Sequence, residues 1–465
     1  MPKRTGILKH LSEIITKNKT LTAENEQLNN QNEVLLKEIE KYKILLARMN
    51  NETLYDEVQY KKRAPFKRFR TATVLYADAV GLEQYSQQVE PKLLLDSLDE
   101  IFFKLQDIIA KFEVRNIKTI GDTFMCVGGI PKKNFTNPIE VLLAAIEMQY
   151  FINELQKKQA AGKIWKLRIG IHTGNVITNI IGKKKPVYEV KGETVNLAAR
   201  IRQFCKDGHI LISATTYELV KDLFVIEYYN KMPVKYQGEI LLYSVDRIKP
   251  EFSLQGKGII PNKKFSIRYG LMQFTDLQEL ILDKMERELP QSLYYHNTKH
   301  TVDVVTQVEL IGLGEGVSEE DLLLLKTAAL FHDTGHIVSY DNHEHFSCIL
   351  AREMLPEYYY TRSQIEIICE LIMSTKLPPK PGNKLQEIMC DADLDYLGRS
   401  DMIAVSDTLF HELRERSKIN SINDWNNLQM KFISGHQYFT DTARKLREVN
   451  KQLQIDRIRN LIVEE

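Results

Sequence analysis

Apolar residues recur every seven positions over the first fifty residues of the chain. Numbered from Leu11, the a positions of this repeat are Leu11, Asn18, Asn25, Asn32, Ile39 and Leu46, and the d positions are Ile14, Leu21, Leu28, Leu35, Tyr42 and Met49. No proline or glycine interrupts the repeat, so it predicts a coiled-coil helix within residues 1–52. Asparagine at an a position pairs well only with an in-register asparagine of a parallel, two-stranded coil. We therefore expect a parallel homodimer.

A leucine-zipper DNA-binding protein is the alternative interpretation of such a helix. It would need a dense basic helix immediately upstream, whereas the only basic residues before this repeat are Lys3, Arg4, Lys9 and His10. Basic residues concentrate instead after the repeat, around Pro65. We interpret residues 53–67 as a solvated basic linker, and we expect no nucleic-acid partner.

Residues 68–246 alternate between short β-branched or aromatic runs and helix-length segments. Strands are predicted near 71–78, 114–119, 123–129, 167–172, 187–190, 210–213 and 240–246, and helices near 91–112, 138–160, 193–205 and 215–221. This mixture indicates an α+β layered domain.

The pattern changes after residue 246. Residues 247–264 contain Pro250, Gly256, Gly258 and Pro261 and are interpreted as a linker. Residues 265–465 show helix-length apolar periods with few strand signals, which predicts an all-α domain. A coil and two domains of catalytic size account for the 465 residues, so the fold class is multidomain.

Composition narrows the class of protein. A formal charge of +1 gives no general attraction to nucleic acid, and a hydrophobic fraction of 43% is sufficient for two cores. No apolar run approaches the length of a membrane span, and the charged N-terminus lacks the apolar segment of a signal peptide. The five cysteines are odd in number and lack paired spacing, so we expect reduced thiols in a cytoplasmic protein.

Two aspartates at strand ends are candidate metal ligands. Asp78 ends the apolar run 73–77, and Asp122 follows Gly121 at the tip of a predicted hairpin. A single aspartate after a strand is usually a turn or cap residue. Two that converge at strand ends, however, offer the carboxylate oxygens that hard divalent cations prefer.

The four segments YADAVG (76–81), IKTIGDTF (117–124), YEVKGETVN (188–196) and LAAR (197–200) resemble the catalytic domain of class III nucleotidyl cyclases, which is ferredoxin-like, over about 68–246. The resemblance implies that Asp78 and Asp122 bind two Mg²⁺ or Mn²⁺ ions. It also implies that Asn196 orients the ribose and Arg200 stabilises the phosphate. Their spacing of four places both on one helical face. In this family one subunit supplies the carboxylates and the other the Asn/Arg pair, so a homodimer would form two sites and a monomer would be inactive.

Base choice follows from hydrogen-bond polarity. Lys118 can only donate and an ionised Glu189 can only accept, which suits the acceptor N1 and the 6-amino donor of adenine. The resemblance agrees, because lysine at the first position accompanies ATP in this family, although adenylate cyclases often carry Asp or Thr where Glu189 stands. Lys235 is the candidate for the family's late phosphate-binding lysine. We predict ATP as the substrate, with a guanylate cyclase as the alternative.

The helical region carries a second group of candidate ligands. His296 and His300 are four residues apart, and His332-Asp333 follows an apolar helix; His336, His343 and the sequence Asp391-Ala392-Asp393 complete the group. An isolated histidine on an apolar face is usually a core residue. Repeated burial of imidazole beside carboxylate is costly without an ion, which could be Mn, Fe, Mg or Zn.

These segments resemble the HD superfamily of metal-dependent phosphohydrolases over roughly 270–440, and the first is similar to the signature of cyclic-nucleotide phosphodiesterases. The resemblance implies that the ligands of a first metal are His300, His332, Asp333 and Asp393. His296 would protonate the leaving oxygen, and His336 and His343 are candidates for a second metal or for phosphate contact. Asp391 is an alternative to Asp393.

The sequence therefore predicts an adenylate cyclase fused to a phosphohydrolase that could act on a cyclic nucleotide. A cyclase and a hydrolase acting at the same time on one messenger would make and destroy it with no net product. We expect either opposed regulation of the two domains or a different substrate for the HD domain. A non-catalytic nucleotide sensor with a regulatory HD domain is the remaining alternative, and retention of both metal aspartates and Arg200 argues against it.

Overall fold

A computed structural model describes residues 66–80, 91–120, 123–131, 133–158, 166–181, 187–234 and 238–462. The predicted coiled coil at 1–52, most of the basic linker, Asp122 and Lys235 lie outside these ranges. Within them, no helix combines the length and the apolar character needed to cross a bilayer.

The chain divides into two compact units. The described part of the first unit consists of residues 66–69, 176–181 and 187–192. The described part of the second unit consists of residues 70–80, 91–120, 123–131, 133–158, 166–175, 193–234 and 238–462. In the first unit, the final residues of strand β4 (Lys166–Ile181) pair antiparallel with strand β5 (Val187–Lys191), and Asn179 lies opposite Glu189.

The second unit begins with a mixed sheet. Its described strands are β2 (Arg115–Ile120), β3 (Thr123–Gly128), β6 (Ile210–Ser213), β7 (Phe224–Val234) and β8 (Gly238–Ile248), together with residues 70–80 of β1 (Lys67–Val80) and residues 166–175 of β4 (Lys166–Ile181). The strand order is β2-β3-β1-β4-β6-β8-β7, with β5 paired to β4 outside this path. β4 and β6 run parallel, whereas β1–β3, β2–β3, β6–β8 and β7–β8 are antiparallel.

Strand β7 is not among the predicted strands. Its sequence contains Asn230 and Pro233, and its pairing with β8 has two register shifts. β7 lies at the end of the strand order, where one edge needs no ladder partner and proline is tolerated. These features hide the alternation that identifies a strand in sequence.

Helices cover both faces of this sheet. They are α1 (Pro91–Lys111), α2 (Asn137–Lys158), α3 (Glu193–Phe204) and α4 (Ala214–Val220). Ile210 and Ile212 face one core with α1 and α2, whereas Leu211 faces a second core with Leu197 and Ile201 of α3. The prediction of a layered α+β domain is confirmed.

The rest of the second unit is helical, as predicted. The helices are α5 (Lys263–Glu288), α6 (Thr298–Gly314), α7 (Glu319–Phe331), α8 (His343–Met354), α9 (Arg362–Ser374), α10 (Lys384–Asp393), α11 (Met402–Glu415), α12 (Ile422–Gly435) and α13 (Asp441–Arg459). Their buried core includes Leu277, Val308, Leu325, Ile372 and Met389. Side-chain caps begin several of them; Asn297, for example, accepts hydrogen bonds from the backbone of Lys299 and His300 at the start of α6.

The connection between the sheet and the helical region is folded. Short 3₁₀ turns at Pro250–Phe252 and Leu254–Gly256 precede α5. Phe265 in the first turn of α5 is 3% exposed and belongs to the core formed by the sheet and α2. One turn later, the Tyr269 hydroxyl donates a 2.7 Å hydrogen bond to Glu140 of α2. The start of α5 therefore packs as part of the sheet domain.

Candidate functional site

Asp78 lies near the end of β1, opposite Thr123, the first residue of β3. The hydroxyl of Thr123 donates to Oδ1 of Asp78 at 2.8 Å. The Asp78 carboxylate is therefore beside the start of β3. Asp122, the other candidate ligand, directly precedes β3 in the sequence and lies outside the described residues.

Arg202 of α3 contacts the same carboxylate oxygen. Its Nη1 atom lies 2.7 Å from Oδ1 of Asp78, and the two side chains are 15% and 18% exposed. The sequence prediction did not include Arg202. Its only sequence signal is its place two residues after Arg200, which points it to a different side of the helix.

Arg200 and Asn196 both lie in α3, as their spacing predicts. Nη2 of Arg200 donates to the backbone carbonyl of Pro233 in β7 at 2.9 Å, and Asn196 is exposed. The structure thus brings Arg202, and not Arg200, to Asp78 within one chain.

The predicted base-reading residues lie on strands. Lys118 is in β2, and Glu189 is in β5, where its carboxylate pairs with Lys191 at 2.9 Å. The side-chain position of Lys118 is outside the described part of the structure. The specificity assignment for this pair stays a prediction.

Four of the predicted ligands converge in the helical region. Nε2 of His300, in the first turn of α6, lies 3.2 Å from Oδ1 of Asp393, the last residue of α10. Nε2 of His332, directly after α7, lies 3.4 Å from that oxygen and 3.2 Å from Oδ2 of Asp333. Helices distant in sequence thus bring two imidazoles and two carboxylates to one point, an arrangement that fits a metal ion.

Asp333 is shared by two ligand groups. Oδ2 faces His300 and His332, is buried, and receives no hydrogen bond from the described residues. Oδ1 lies 3.5 Å from Nε2 of His343 and 3.8 Å from Nε2 of His336. A carboxylate with one oxygen in each group can bridge two cations.

The second group consists of His296, Asp333 and His336, with His343 beside it. The rings of His336 and His343 stack with their centroids 4.0 Å apart. Both ring nitrogens of His336 are buried without a hydrogen-bond partner among the described residues, and burial lowers its pKa to about 3 although Asp333 opposes this. A neutral imidazole with a free lone pair is the form that binds a metal.

His332 is oriented by the backbone. Its Nδ1 lies 2.8 Å from the carbonyl oxygen of Ala329, which leaves Nε2 directed at the carboxylates. Burial opposes protonation of His332, but the charges of Asp333 and Asp393 outweigh burial and raise its pKa well above the usual value. The region attracts positive charge strongly, as a cation site must.

Glu412 of α11 is a site residue that the sequence prediction missed. Its Oε1 lies 2.6 Å from Nδ1 of His296, and its Oε2 accepts from the backbone amides of Tyr295 and His296 at 3.0 and 3.2 Å. The carboxylate is fully buried. Because 116 positions separate Glu412 from His296, no spacing pattern connects them.

Asp391 lies away from this cluster. Its carboxylate accepts hydrogen bonds from the backbone amides of Phe439 and Thr440, at 2.9 and 2.7 Å, before α13. Asp391 therefore supports a helix start, and Asp393 faces the histidines.

A cavity of about 680 Å³ opens beside the histidines. One end is lined by His296, Asp333, His336 and His343, and the walls include Leu397, Met402, Leu413, Trp425 and Phe432. Gln429 also lines it; this residue is 8% exposed, and its Oε1 has no hydrogen-bond partner among the described residues. The site combines a charged end with apolar walls and one polar group.

Two family models match the chain. Residues 64–247 match the adenylate and guanylate cyclase catalytic domain, and residues 298–395 match the HD domain. Receptor-type guanylate cyclase gcy-8 of Caenorhabditis elegans is 29% identical over 225 residues, covering 47% of this chain and 20% of that protein. Guanylate cyclase soluble subunit alpha-1 of Rattus norvegicus is 30% identical over 156 residues, covering 34% and 22%. The chain thus spans about a fifth of these relatives.

Solved structures are also similar to part of the chain. The guanylate cyclase domain of RhGC from Catenaria anguillulae in complex with GTP is 28% identical and covers 39% of this chain and 100% of that chain, with a TM-score of 0.37. The adenylyl cyclase CyaB from P. aeruginosa is 26% identical and covers 39% and 96%, also with a TM-score of 0.37. By the family matches, this chain carries a class III adenylate and guanylate cyclase catalytic domain followed by an HD domain.

Proposed function

We propose that the sheet domain converts ATP to cyclic AMP and diphosphate in a homodimer. The observation that carries this proposal is the position of Asp78 near the end of β1, opposite the first residue of β3, within a region that matches the cyclase family. Two divalent cations held there would neutralise phosphate charge and lower the pKa of the attacking ribose hydroxyl. The residues for this task are Asp78 and Asp122.

The other half of the proposed site comes from α3 of the partner subunit. Asn196 is exposed near the start of α3, and Arg200 lies one turn later. The planar guanidinium of Arg200 would leave its contact with Pro233 and donate to the phosphate. Within one chain Arg200 contacts Pro233 and not Asp78, so a second chain is needed to bring the two sets of groups together. Because each chain contains both sets, a head-to-tail homodimer would form two equivalent sites. The predicted coil at 1–52 would supply that dimer.

ATP is favoured over GTP by Lys118 and Glu189. Both curated relatives named above are guanylate cyclases by name, so GTP is the competing substrate. The test measures cyclic AMP and cyclic GMP from each triphosphate with Mg²⁺ and with Mn²⁺, in the wild type, Lys118→Glu and Lys104→Glu. Lys118→Glu should shift the preference towards GTP. Lys104→Glu changes the same charge on the exposed surface of α1 and should not. Wild-type preference for GTP would overturn the assignment.

We propose that the HD domain hydrolyses a nucleotide phosphoester. The observation that carries this proposal is Asp333, whose two oxygens face two histidine groups. His300, His332, Asp333 and Asp393 would hold one cation, and His336 and His343 would help to hold a second. The ions would supply an activated water and charge neutralisation.

His296 would donate the proton to the leaving oxygen. Glu412 engages its Nδ1, so the Nε2 side remains for the substrate. Burial lowers the pKa of His296, but the hydrogen bond with Glu412 and the charges of Asp333 and Glu412 outweigh burial, and the net shift is upward. A raised pKa favours the protonated imidazole, which is the form that a general acid requires.

The cavity walls favour a nucleotide over a simple phosphate ester. Trp425 and Phe432 provide flat apolar surface, and the Gln429 amide can donate to and accept from the edge of a base. Gln429→Leu should therefore raise KM for cyclic AMP at least about tenfold. Hydrolysis of bis(p-nitrophenyl) phosphate, which has no nucleobase, should not change. An equal loss with both substrates would contradict base recognition.

A time course with ATP and Mn²⁺ tests whether both domains act on one messenger. Transient cyclic AMP that decays to AMP would support opposed regulation of the two domains. Stable cyclic AMP would exclude its rapid breakdown by the HD domain. Asp333→Asn should turn a transient into stable accumulation, because it removes a hydrolase ligand and leaves the cyclase residues intact.

A further inference from the structure

Arg202 occupies the carboxylate that is proposed to bind the cyclase cation. Its Nη1 donates to Oδ1 of Asp78 at 2.7 Å and to the hydroxyl of Thr123 at 3.1 Å, and Thr123 itself donates to Oδ1 at 2.8 Å. Because both charged side chains are mostly buried, this pair is less screened than a surface ion pair. Oδ1 of Asp78 is thus engaged within a single chain.

The fold brings Arg202 close to β1 through a glycine contact. A Cβ atom at Gly170 of β4 would lie 2.2 Å from the backbone nitrogen of Arg202 and 2.7 Å from the carbonyl oxygen of Ala198. Helix α3 can therefore approach β4 this closely only because residue 170 has no side chain. β4 is next to β1 in the sheet, so Arg202 starts one strand away from Asp78.

The guanidinium of Arg202 is held mainly by Asp78 and Thr123. Its Nε is buried and has no hydrogen-bond partner among the described residues, and its Cζ lies 5.7 Å from the centroid of the Tyr76 ring. Because Nε of Arg202 is buried without an acceptor, this position of the side chain is less favourable than one in which every donor is hydrogen-bonded. Arg202 can therefore leave without breaking a complete donor network.

A divalent cation and this guanidinium cannot share Asp78 at low cost. A cation bound to the carboxylate would place two positive charges within a few ångströms of a third, in a site with restricted access to water. Thr123 is neutral and can stay while a cation binds. Arg202 is the group that must move.

We propose that Arg202 is an internal competitor for Asp78 that raises the cation concentration at which the cyclase site fills. The inference rests on the proposed function, because it requires Asp78 to be a cation ligand. In the chain without bound cations, Arg202 then stays paired with Asp78. Cation binding then includes the displacement of Arg202.

The test is a Mn²⁺ titration of the full chain, followed by electron paramagnetic resonance of the free ion without nucleotide. Asp78→Asn identifies the class of bound Mn²⁺ that belongs to the cyclase site, and the HD class serves as an internal control of folding. Arg202→Met should tighten the cyclase class by about tenfold or more, since one nearby charge commonly shifts a binding equilibrium by that amount. Arg202→Lys, which keeps the charge, should stay closer to the wild type.

Arg168→Met is the matched control. Arg168 lies on β4 and pairs with Asp207 at 2.7 Å on the surface, so its loss should not change Mn²⁺ affinity. If Arg202→Met leaves the affinity unchanged or weakens it, or if Arg202→Lys behaves like Arg202→Met, competition by charge is wrong. If Asp78→Asn removes no class of bound Mn²⁺, the assignment of Asp78 as a ligand fails instead.

Discussion

Glu412 lies 2.6 Å from Nδ1 of His296 and joins α11 to the start of the helical metal site. The carboxylate fixes which nitrogen of the imidazole faces the cavity, and its second oxygen accepts two backbone amides. One buried side chain thus orients both the proposed proton donor and the backbone that carries it.

Glu412→Gln should lower kcat for phosphoester hydrolysis by about 10–100-fold, because an orienting partner of a site histidine is weakened. KM should change little, since Glu412 does not line the cavity. Steady-state kinetics with cyclic AMP would measure both. Glu415→Gln is the control: Glu415 is on the same helix and accepts from the exposed Tyr294 hydroxyl. Equal losses from both variants would contradict an orienting role for Glu412.

Metal content should distinguish Asp333 from His336. Asp333→Asn weakens a shared ligand, so we expect loss of both HD-site ions from purified protein. His336→Asn affects one group, so about one ion should remain. Inductively coupled plasma mass spectrometry of dialysed protein would give the stoichiometry. Retention of two ions in Asp333→Asn would contradict a bridging carboxylate.

Tyr269→Phe should destabilise the junction between the sheet and α5. The variant removes the donor to Glu140, a carboxylate that is 8% exposed, and a lost hydrogen bond to a buried charged group costs about 1–3 kcal/mol. Tyr359→Phe removes a hydroxyl that donates to the exposed Glu113 at 3.0 Å and should cost less. Thermal unfolding of both variants would compare them. An equal or larger shift for Tyr359→Phe would contradict the junction's importance.

Stability should fall in acid because of His436. Burial lowers the pKa of His436 to about 4, with Lys451 adding to the effect, whereas an unfolded histidine titrates near its usual value of 6.5. The unfolded chain therefore binds the proton first, and stability is lost as pH falls from about 6.5 towards 4. His436→Phe should make the loss between pH 7.5 and pH 5 smaller by about 2 kcal/mol in urea unfolding. Identical pH dependence in the two proteins would contradict the assignment.

Much of the architecture could be predicted from the sequence because it is local. The four-residue spacing of Asn196 and Arg200 predicted that both lie on one helix, which is α3. The apolar run before His332 predicted a helix, which is α7. Strand β7 was missed because its edge position relaxes the alternation of apolar and polar residues that a paired, half-buried strand requires.

The unpredicted site residues are those that act across long separations. Arg202 reaches Asp78 over 124 positions, and its approach depends on Gly170, whose lack of a side chain has no meaning until α3 and β4 are packed. Glu412 likewise acquires a role only when α11 meets the start of α6. Chemical type alone marked neither residue, because charged residues on amphipathic helices are usually solvated.

Phe265 makes the sheet domain depend on the start of the helical region for a complete core. The first turns of α5 complete the core beneath the sheet. Replacing everything after residue 247 with another domain would therefore leave an apolar cavity in the cyclase domain. A viable swap must keep residues through Tyr269 with the upstream half. The C-terminal boundary of the cyclase domain as a folding unit therefore lies inside α5. It is downstream of residues 247–264, whose prolines and glycines suggest a linker.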